Sequence, residues 1–248
     1  KPKPGYVMVQ AATSSNPFLP DDYVDALRES YPAQLIEAYL QGRFVNLNSG
    51  SVYPSFCRRR NHSAEVERPN ETLHVGMDFN VLNMTATINV IRDDLPITVA
   101  EVTEVRDTPA MAKLLKDRFK DRGHAVIVYP DASGQNTSSK NASESDLSIL
   151  RQAGFTVRAN SRNPSVRDRV NAVNAMLLND MDQRRWKVNT DRCPVLTEAL
   201  EQQAYDKNGE PDKSSGHDHA NDAQGYFLVH RYPIKKPSAG QRQIGGLA

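Results

Sequence analysis

Hydrophobic and polar positions change period several times along the chain, and the changes mark its elements. Val75, Met77 and Phe79 alternate with Gly76, Asp78 and Asn80, the period of two of a half-buried strand. Met84–Ile91 and Ile97–Val105 read as two more strands, joined through Asp93-Asp94 and Pro96. The period then lengthens. Thr108-Pro109 opens a helix to about Arg122, with Pro at the first helical position and Gly123 beyond the end. Ala125–Tyr129 is an unbroken apolar run, as expected of a central strand covered on both faces, and Pro130-Asp131 stops it. A small-polar loop over Ser133–Ser143 precedes a helix at Glu144–Ala153 and a strand at Phe155–Val157. Val166–Leu178 is helical, with Val170, Val173 and Leu177 at helical spacing. Trp186–Val188 is short and extended, and helices over Pro194–Tyr205 and Gly216–His230 complete the order.

Upstream the pattern is thinner. Asn16-Pro17-Phe18-Leu19-Pro20 is extended, because proline restricts its own φ and the residue before it. Asp21-Asp22 opens a helix to about Glu29, a second helix starts near Pro32 and ends before Gly42, and Phe44-Val45 and Val52-Tyr53 flank an Asn-Ser-Gly hairpin signal. Two short helices and a hairpin cannot enclose a core, so residues 1–56 are expected to lean on something else. Residues 57–72, with Arg58-Arg59-Arg60, read as a polar connector, 73–232 as the main α/β domain, and 233–248 as a loose tail. Three strands in a meander followed by helix–strand–helix–strand–helix predict a mixed, five-stranded sheet with helices on its faces.

Composition adds limits. The 31 basic and 30 acidic residues leave a net charge of +1, which excludes a uniformly basic nucleic-acid binder or membrane-surface protein. Counting Gly and omitting Tyr, the apolar share is about 40%, below the usual 45–50%, consistent with large polar loops. No run approaches 18 apolar residues, so no membrane partner is expected. Two cysteines, Cys57 and Cys193, predict a reduced intracellular chain, and neither they nor His217 and His219 have zinc spacing. The opening Lys1-Pro2-Lys3-Pro4 is expected of a piece of a longer protein.

Three acids stand where propensity disfavours them. Asp78 interrupts a strand whose same-face neighbours are Gly76 and Asn80, and Gly76 permits another backbone to approach. Asp131 closes the most apolar strand, where ligands gather in open α/β sheets, although a turn residue or helix cap would look the same. Asp222 lies one turn into the last helix, with His219 and Asp218 on its face. Asp218 also follows Ser215 at capping-box spacing, and His219 alone suits a solvated surface. If the first and fourth strands are neighbours and the last helix packs on them, Asp78, Asp131 and Asp222 converge. Converging carboxylates repel unless cations neutralise them. Hard ions with oxygen ligands, Mg²⁺ or Mn²⁺, suit such a site, and two of them roughly 3.5–4 Å apart support in-line attack on a phosphodiester.

This order, with an Asp on the first strand, an acid after the fourth and His-x-x-Asp on a late helix, resembles the ribonuclease-H-like nucleases. Finer motifs point further. Asn16–Pro20, Ala38–Val45, Val52–Phe56, Gly76-Met77-Asp78-Phe79 and His219-Ala220-Asn221-Asp222-Ala223 resemble the large terminase subunit of tailed bacteriophages, over about residues 10–232. In that family an ATPase drives DNA into the capsid and a carboxy-terminal nuclease cuts the concatemer. Gly134–Lys140 lacks the second glycine and the Lys-Ser/Thr ending of a phosphate-binding loop. The resemblance therefore implies the nuclease half plus the end of the ATPase region, at residues 1–56. It implies Asp78, Asp131 and Asp222 as catalytic metal ligands, with His219 as the variable fourth. Asp218 falls beside these places and is a further metal-ligand candidate. Two divalent cations, Mg²⁺ or Mn²⁺, are the implied cofactors. The implied partners are double-stranded DNA, the portal ring, the small terminase subunit and the chain's own ATPase domain, in host cytoplasm at the procapsid.

Basic clusters offer places for DNA. Residues 151–170 hold Arg151, Arg158, Arg162, Arg167 and Arg169 against Asp168, a net +4, and residues 231–248 carry +4 again. Phosphate contact is one reading and a solvated face the other. Lys213, in a turn-rich flap from Tyr205 to Gly216, is a further candidate, and Arg158 and Arg162 stand beside it as DNA-binding candidates. No aromatic series suggests base stacking. Another enzyme of the superfamily, a junction resolvase or ribonuclease H, is the alternative of like chemistry. A non-catalytic DNA-binding or docking module of the packaging motor is the alternative of another class.

Overall fold

The computed structural model describes residues 12–13, 16–20, 22–32, 36, 40, 50–80, 82–132 and 145–234. Most of the Pro32–Gly42 helix, the Phe44-Val45 half of the hairpin, the Ser133–Ser143 loop and the tail with Lys235, Lys236 and Arg242 lie outside these residues.

Helix α1 (Tyr23–Ser30) and the four-residue α2 (Arg58–Asn61) precede the sheet. Then come β1 (Leu73–Asp78), β2 (Met84–Arg92) and β3 (Leu95–Val105), followed by α3 (Thr108–Arg118) and β4 (Val126–Pro130). The chain continues through α4 (Asp146–Gln152), β5 (Thr156–Val157), α5 (Val166–Leu177), β6 (Lys187–Val188), α6 (Pro194–Gln202) and α7 (Asp218–Arg231). The sheet order is β5-β4-β1-β2-β3-β6, with β1–β2 and β2–β3 antiparallel and the other pairs parallel. It has one strand more than the five expected. Lys187 and Val188 pair with Ile97 and Thr98 at the edge, a contact too short to show a period in sequence. Asp93 and Asp94 both have positive φ, as a two-residue hairpin requires.

Alternation in β1 sorts its side chains between two layers. Leu73, Val75 and Met77 enter a core with Ile88, Val99, Met111, Leu115 and Leu150, under α3 and α4. His74, Gly76 and Asp78 take the opposite face. There the core comprises Tyr129, Val173, Leu177, Trp186, Leu196, Leu200 and Phe227, under α5, α6 and α7. Buried polar groups on this face are joined in a chain. Trp186 Nε1 donates to Thr98 Oγ1 at 2.9 Å, Thr98 Oγ1 to Asn89 Oδ1 at 2.6 Å, and Asn89 Nδ2 to the His74 carbonyl at 3.1 Å. Among the described residues no helix is long and apolar enough to cross a membrane.

Upstream segments attach to this body. Val52 and Tyr53 form no strand; Val52 N–H donates to the Gln203 carbonyl and both side chains join the second core. Asn174 of α5 also donates to the Val52 carbonyl, so the backbone groups of this half of the expected hairpin are used in docking. Within 57–72, the fully buried Asn61 donates to the Leu177 and Trp186 carbonyls and accepts from Cys57 N–H, and Arg58 pairs with Glu201. The polar connector is thus a docked segment. α1 is held by Asn179 and Arg185, which both donate to the Glu29 carbonyl.

One half-buried group makes the fold acid-sensitive. His74 shares a 2.9 Å hydrogen bond with the Tyr129 hydroxyl, and burial, helped by Arg231 and Arg158, holds its imidazole down to about 4. Its folded pKa lies below the unfolded value of about 6.5, so the unfolded state binds more protons between those values. This contribution to stability is complete above pH 6.5 and lost as pH falls toward 4. His74→Gln is expected to flatten that part of the profile of urea-unfolding free energy against pH.

Candidate active site

Asp78 ends β1 and Asp131 follows β4 by one residue. The strands are parallel neighbours with Met77 opposite Pro130, and Asp131 N–H donates to the Met77 carbonyl at 3.0 Å. Both carboxylates therefore leave the sheet at adjacent carboxyl ends, where an α/β sheet opens a crevice. The third acid arrives on α7, which crosses β1 at Gly76. A Cβ built on Gly76 would lie 2.1 Å from the Ala223 carbonyl oxygen, so glycine is what lets α7 sit this low. Asp222 precedes Ala223 and enters the same cleft.

That cleft encloses about 630 Å³ and is lined by Asp78, Asp131, Asp218, Asp222, His219, Lys213 and Arg169, with Asn80, Asn163 and Tyr226 among the other walls. Arg158 and Arg162 are exposed but line no part of it. Lys213 does, on the rim formed by the segment before α7. Asp218 is 5% exposed and makes no cap; His217 is the N-cap residue, without a side-chain hydrogen bond. The capping-box reading fails because the helix starts two residues too late for Ser215.

Asp78, Asp131 and Asp222 each have a hydrogen-bond partner within the protein. His219 Nδ1 stands 3.2 Å from Asp78 Oδ2, and Asn80 Nδ2 is 2.9 Å from the other ring nitrogen. These contacts suit an imidazole that donates from Nδ1 and accepts at Nε2. The hydrogen bond to Asp78 raises the His219 pKa against the opposing effect of burial, with Asp218 and Asp222 adding to the rise. Asn163 Nδ2 donates to Asp131 Oδ1 at 3.0 Å. Arg169 Nη2 donates to Asp222 Oδ1 at 2.7 Å. Burial still pushes the Asp222 carboxyl up to about 6; Arg169 and Lys213 oppose the shift and Asp78 and Asp218 add to it.

Among the described residues, no three Asp, Glu, His or Cys side chains already form a set able to hold one ion. The reason is in the contacts above: three carboxylates are turned toward protein donors. The donor chemistry nonetheless fits hard cations. Among the described residues, the lysine and arginine side chains that line this cleft of four carboxylates are Lys213 and Arg169. Asp218 Oδ1 is buried without a hydrogen-bond partner, and oxygen-rich sites of this kind suit Mg²⁺ or Mn²⁺.

Residues 75–231 match the family described as the terminase RNaseH-like domain. The chain belongs to that family. Solved structures similar to this terminase domain share its fold. The large terminase of a thermophilic bacteriophage, in complex with ATP-gamma-S, is 20% identical with a TM-score of 0.66; the match covers 88% of this chain and 54% of that one. The terminase domain thus spans about half the length of that protein. The P22 large terminase nuclease domain is 16% identical with a TM-score of 0.56, covering 76% and 96%. The large terminase nuclease of thermophilic phage G20c, with bound magnesium, is 13% identical with a TM-score of 0.52, covering 73% and 97%. No curated protein matches. The mixed sheet flanked by helices is the ribonuclease-H-like fold of these nuclease domains.

Arg169 belongs to the basic stretch expected either to contact phosphate or to form a solvated face, whereas the terminase domain buries it. The signal was present: Arg169 stands three residues after Val166 and four before Val173, on the apolar face of α5. Asn80 was visible only as a polar neighbour on the face of Asp78, and Asn163 carried no signal, since a single amide in a loop has no period.

Proposed function

We propose that the chain is a metal-dependent endonuclease domain of a phage large terminase, which cuts concatemeric double-stranded DNA. The observation that carries this is the meeting of Asp78 and Asp131 at adjacent strand ends with Asp222 delivered by α7 across Gly76. Asp78, Asp131 and Asp222 would hold two divalent ions, Mg²⁺ or Mn²⁺, with His219 and Asp218 beside them. Such ions lower the pKa of an attacking water and stabilise the departing 3′ oxygen, giving 5′-phosphate and 3′-hydroxyl ends. Magnesium in the G20c nuclease supports the choice of metal.

The chain's own residues supply position and charge. Asp78 orients the His219 ring through Nδ1, and Asn163 fixes Asp131. Lys213 on the rim would meet a backbone phosphate. Lys213→Ala is expected to weaken binding of unrelated duplexes alike and to reduce the slope of log K against log salt by about one. Fluorescence anisotropy at several salt concentrations measures this.

Residues 1–56 fit the end of an ATPase region. Nearly all of the P22 nuclease domain is matched by only 76% of this chain, which leaves room for such a segment. The wider partners in this reading are the portal ring, the small subunit and the chain's own ATPase domain, at the procapsid in host cytoplasm. Cleavage of linear duplex, four-way junction and RNA–DNA hybrid, each with Mg²⁺, Mn²⁺ or chelator, tests it. Chelator-sensitive cutting of linear duplex is the expected result. A strong preference for the junction or the hybrid would contradict the packaging role, and absence of metal-dependent cutting would favour a docking module.

A further inference from the structure

Of the three consecutive charged residues Arg167, Asp168 and Arg169 at the start of α5, only Arg169 is buried, at 5% exposure. Its backbone is set by Ser165, whose carbonyl accepts from Arg169 N–H at 3.0 Å and whose hydroxyl accepts from Asp168 N–H at 3.0 Å. Its aliphatic stem crosses α7 at Gly225. A Cβ there would lie 2.5 Å from Arg169 Cγ and 2.8 Å from Cδ, so this turn of α7 leaves a passage for the side chain. The guanidinium is held at both arms. Nη1 donates to the Tyr226 hydroxyl at 3.0 Å, and Nη2 donates to Asp222 Oδ1 at 2.7 Å. The group also lies over the Tyr226 ring, 4.7 Å from its centroid.

A guanidinium fixed in this way is a poor candidate for a mobile DNA contact. Its consequence falls on Asp222. The Arg169 donor takes up one acceptor site of Oδ1 and sets a positive charge beside it, which disfavours chelation of a cation through both oxygens and leaves Oδ2 the better ligand. We infer that Arg169 is a positioning residue that tilts Asp222 toward single-oxygen coordination and so biases the cleft toward small octahedral cations and against Ca²⁺. Ca²⁺ takes six to eight oxygens and often both oxygens of a carboxylate, whereas Mg²⁺ demands near-octahedral geometry with fewer protein ligands. Arg is suited to the task because its rigid fork engages Asp222 and Tyr226 together, which a Lys ammonium on a flexible stem does not.

The inference rests on the metal site proposed above. Isothermal titration of Mn²⁺ and Ca²⁺ into the chain tests it, with circular dichroism confirming that each variant is folded. The wild-type chain is expected to bind Mn²⁺ more tightly than Ca²⁺. Arg169→Met frees both oxygens of Asp222 and removes their orientation, and is expected to lose about tenfold in Mn²⁺ affinity. Its Ca²⁺ affinity holds or rises, so the preference collapses. Arg169→Lys, which keeps one donor for Oδ1, is expected to restore much of it. Tyr226→Phe removes only the hydroxyl that steadies the other arm and is expected to reduce the preference about threefold. This variant decides the matter if Arg169→Met does not fold. Wild-type preference in Arg169→Met, or in Tyr226→Phe when the former is unfolded, would overturn the role of Arg169 alone. A wild-type chain that binds neither ion would remove the metal site itself, and this role with it.

Discussion

Asp78→Ala is expected to abolish metal-dependent plasmid cutting while leaving the fold intact. The carboxylate stands at the end of β1 beside Asp131, within hydrogen-bonding distance of His219 and in the cleft that Asp218 and Asp222 share. If it holds a cation, its loss removes several kcal/mol of transition-state stabilisation. At about 1.4 kcal/mol per tenfold, that is a rate loss of at least about a hundredfold to a thousandfold. Stability should not suffer to match, because the neighbouring acids lose a like charge when Asp78 is removed. A purely structural Asp78 predicts the reverse: lower stability and a normal rate in whatever remains folded. Plasmid nicking beside thermal unfolding separates the two.

Gly76→Ala is expected to be the most damaging single-methyl change in the β1–α7 layer. The added Cβ would meet Ala223 carbonyl oxygen at 2.1 Å and Thr87 Oγ1 at 3.0 Å. The first is backbone of a helix and cannot rotate aside, so α7 must lift. Forcing extra volume into a packed contact costs about 1–3 kcal/mol and more where backbone moves. For a domain of this size, about 3 kcal/mol corresponds to roughly 6–12 °C in Tm. Asp222 travels with α7, so Mn²⁺ affinity should fall beyond what the stability loss explains. Differential scanning calorimetry and isothermal titration measure the two effects. An unchanged Tm would mean that α7 is not seated on β1 as described.

Much of this arrangement could be read from residue types because they contradict their local context. An Asp in a strand with glycine two residues before it has no packing rationale, and the structure gives both a place: Gly76 under Ala223, Asp78 on the cleft. The apolar run at β4 ends at Asp131 for the same reason. What escaped was set by tertiary contact. Trp186–Val188 was legible as extended, but its place in the sheet as β6 comes from pairing with β3. Val52 and Tyr53 carried a hairpin signal but are claimed by the second core. Arg58–Asn61 reads as polar, yet Asn61 is fully buried because backbone carbonyls of Leu177 and Trp186 accept its amide. Arg169 was grouped with exposed arginines by net charge, a sum that is blind to which face of α5 each one occupies. Asp218 kept a capping alternative beside the metal-ligand one because the spacing from Ser215 says nothing of where the helix begins.

The claim beneath both predictions is that the cleft between β1, β4 and α7 holds divalent cations. Anomalous diffraction from crystals soaked in Mn²⁺ tests it most directly. The account predicts anomalous peaks within about 2.1–2.2 Å of carboxylate oxygens of Asp78 and of Asp131 or Asp222, at the distances hard octahedral cations adopt. Peaks confined to other surfaces, with the cleft empty at saturating Mn²⁺, would contradict it.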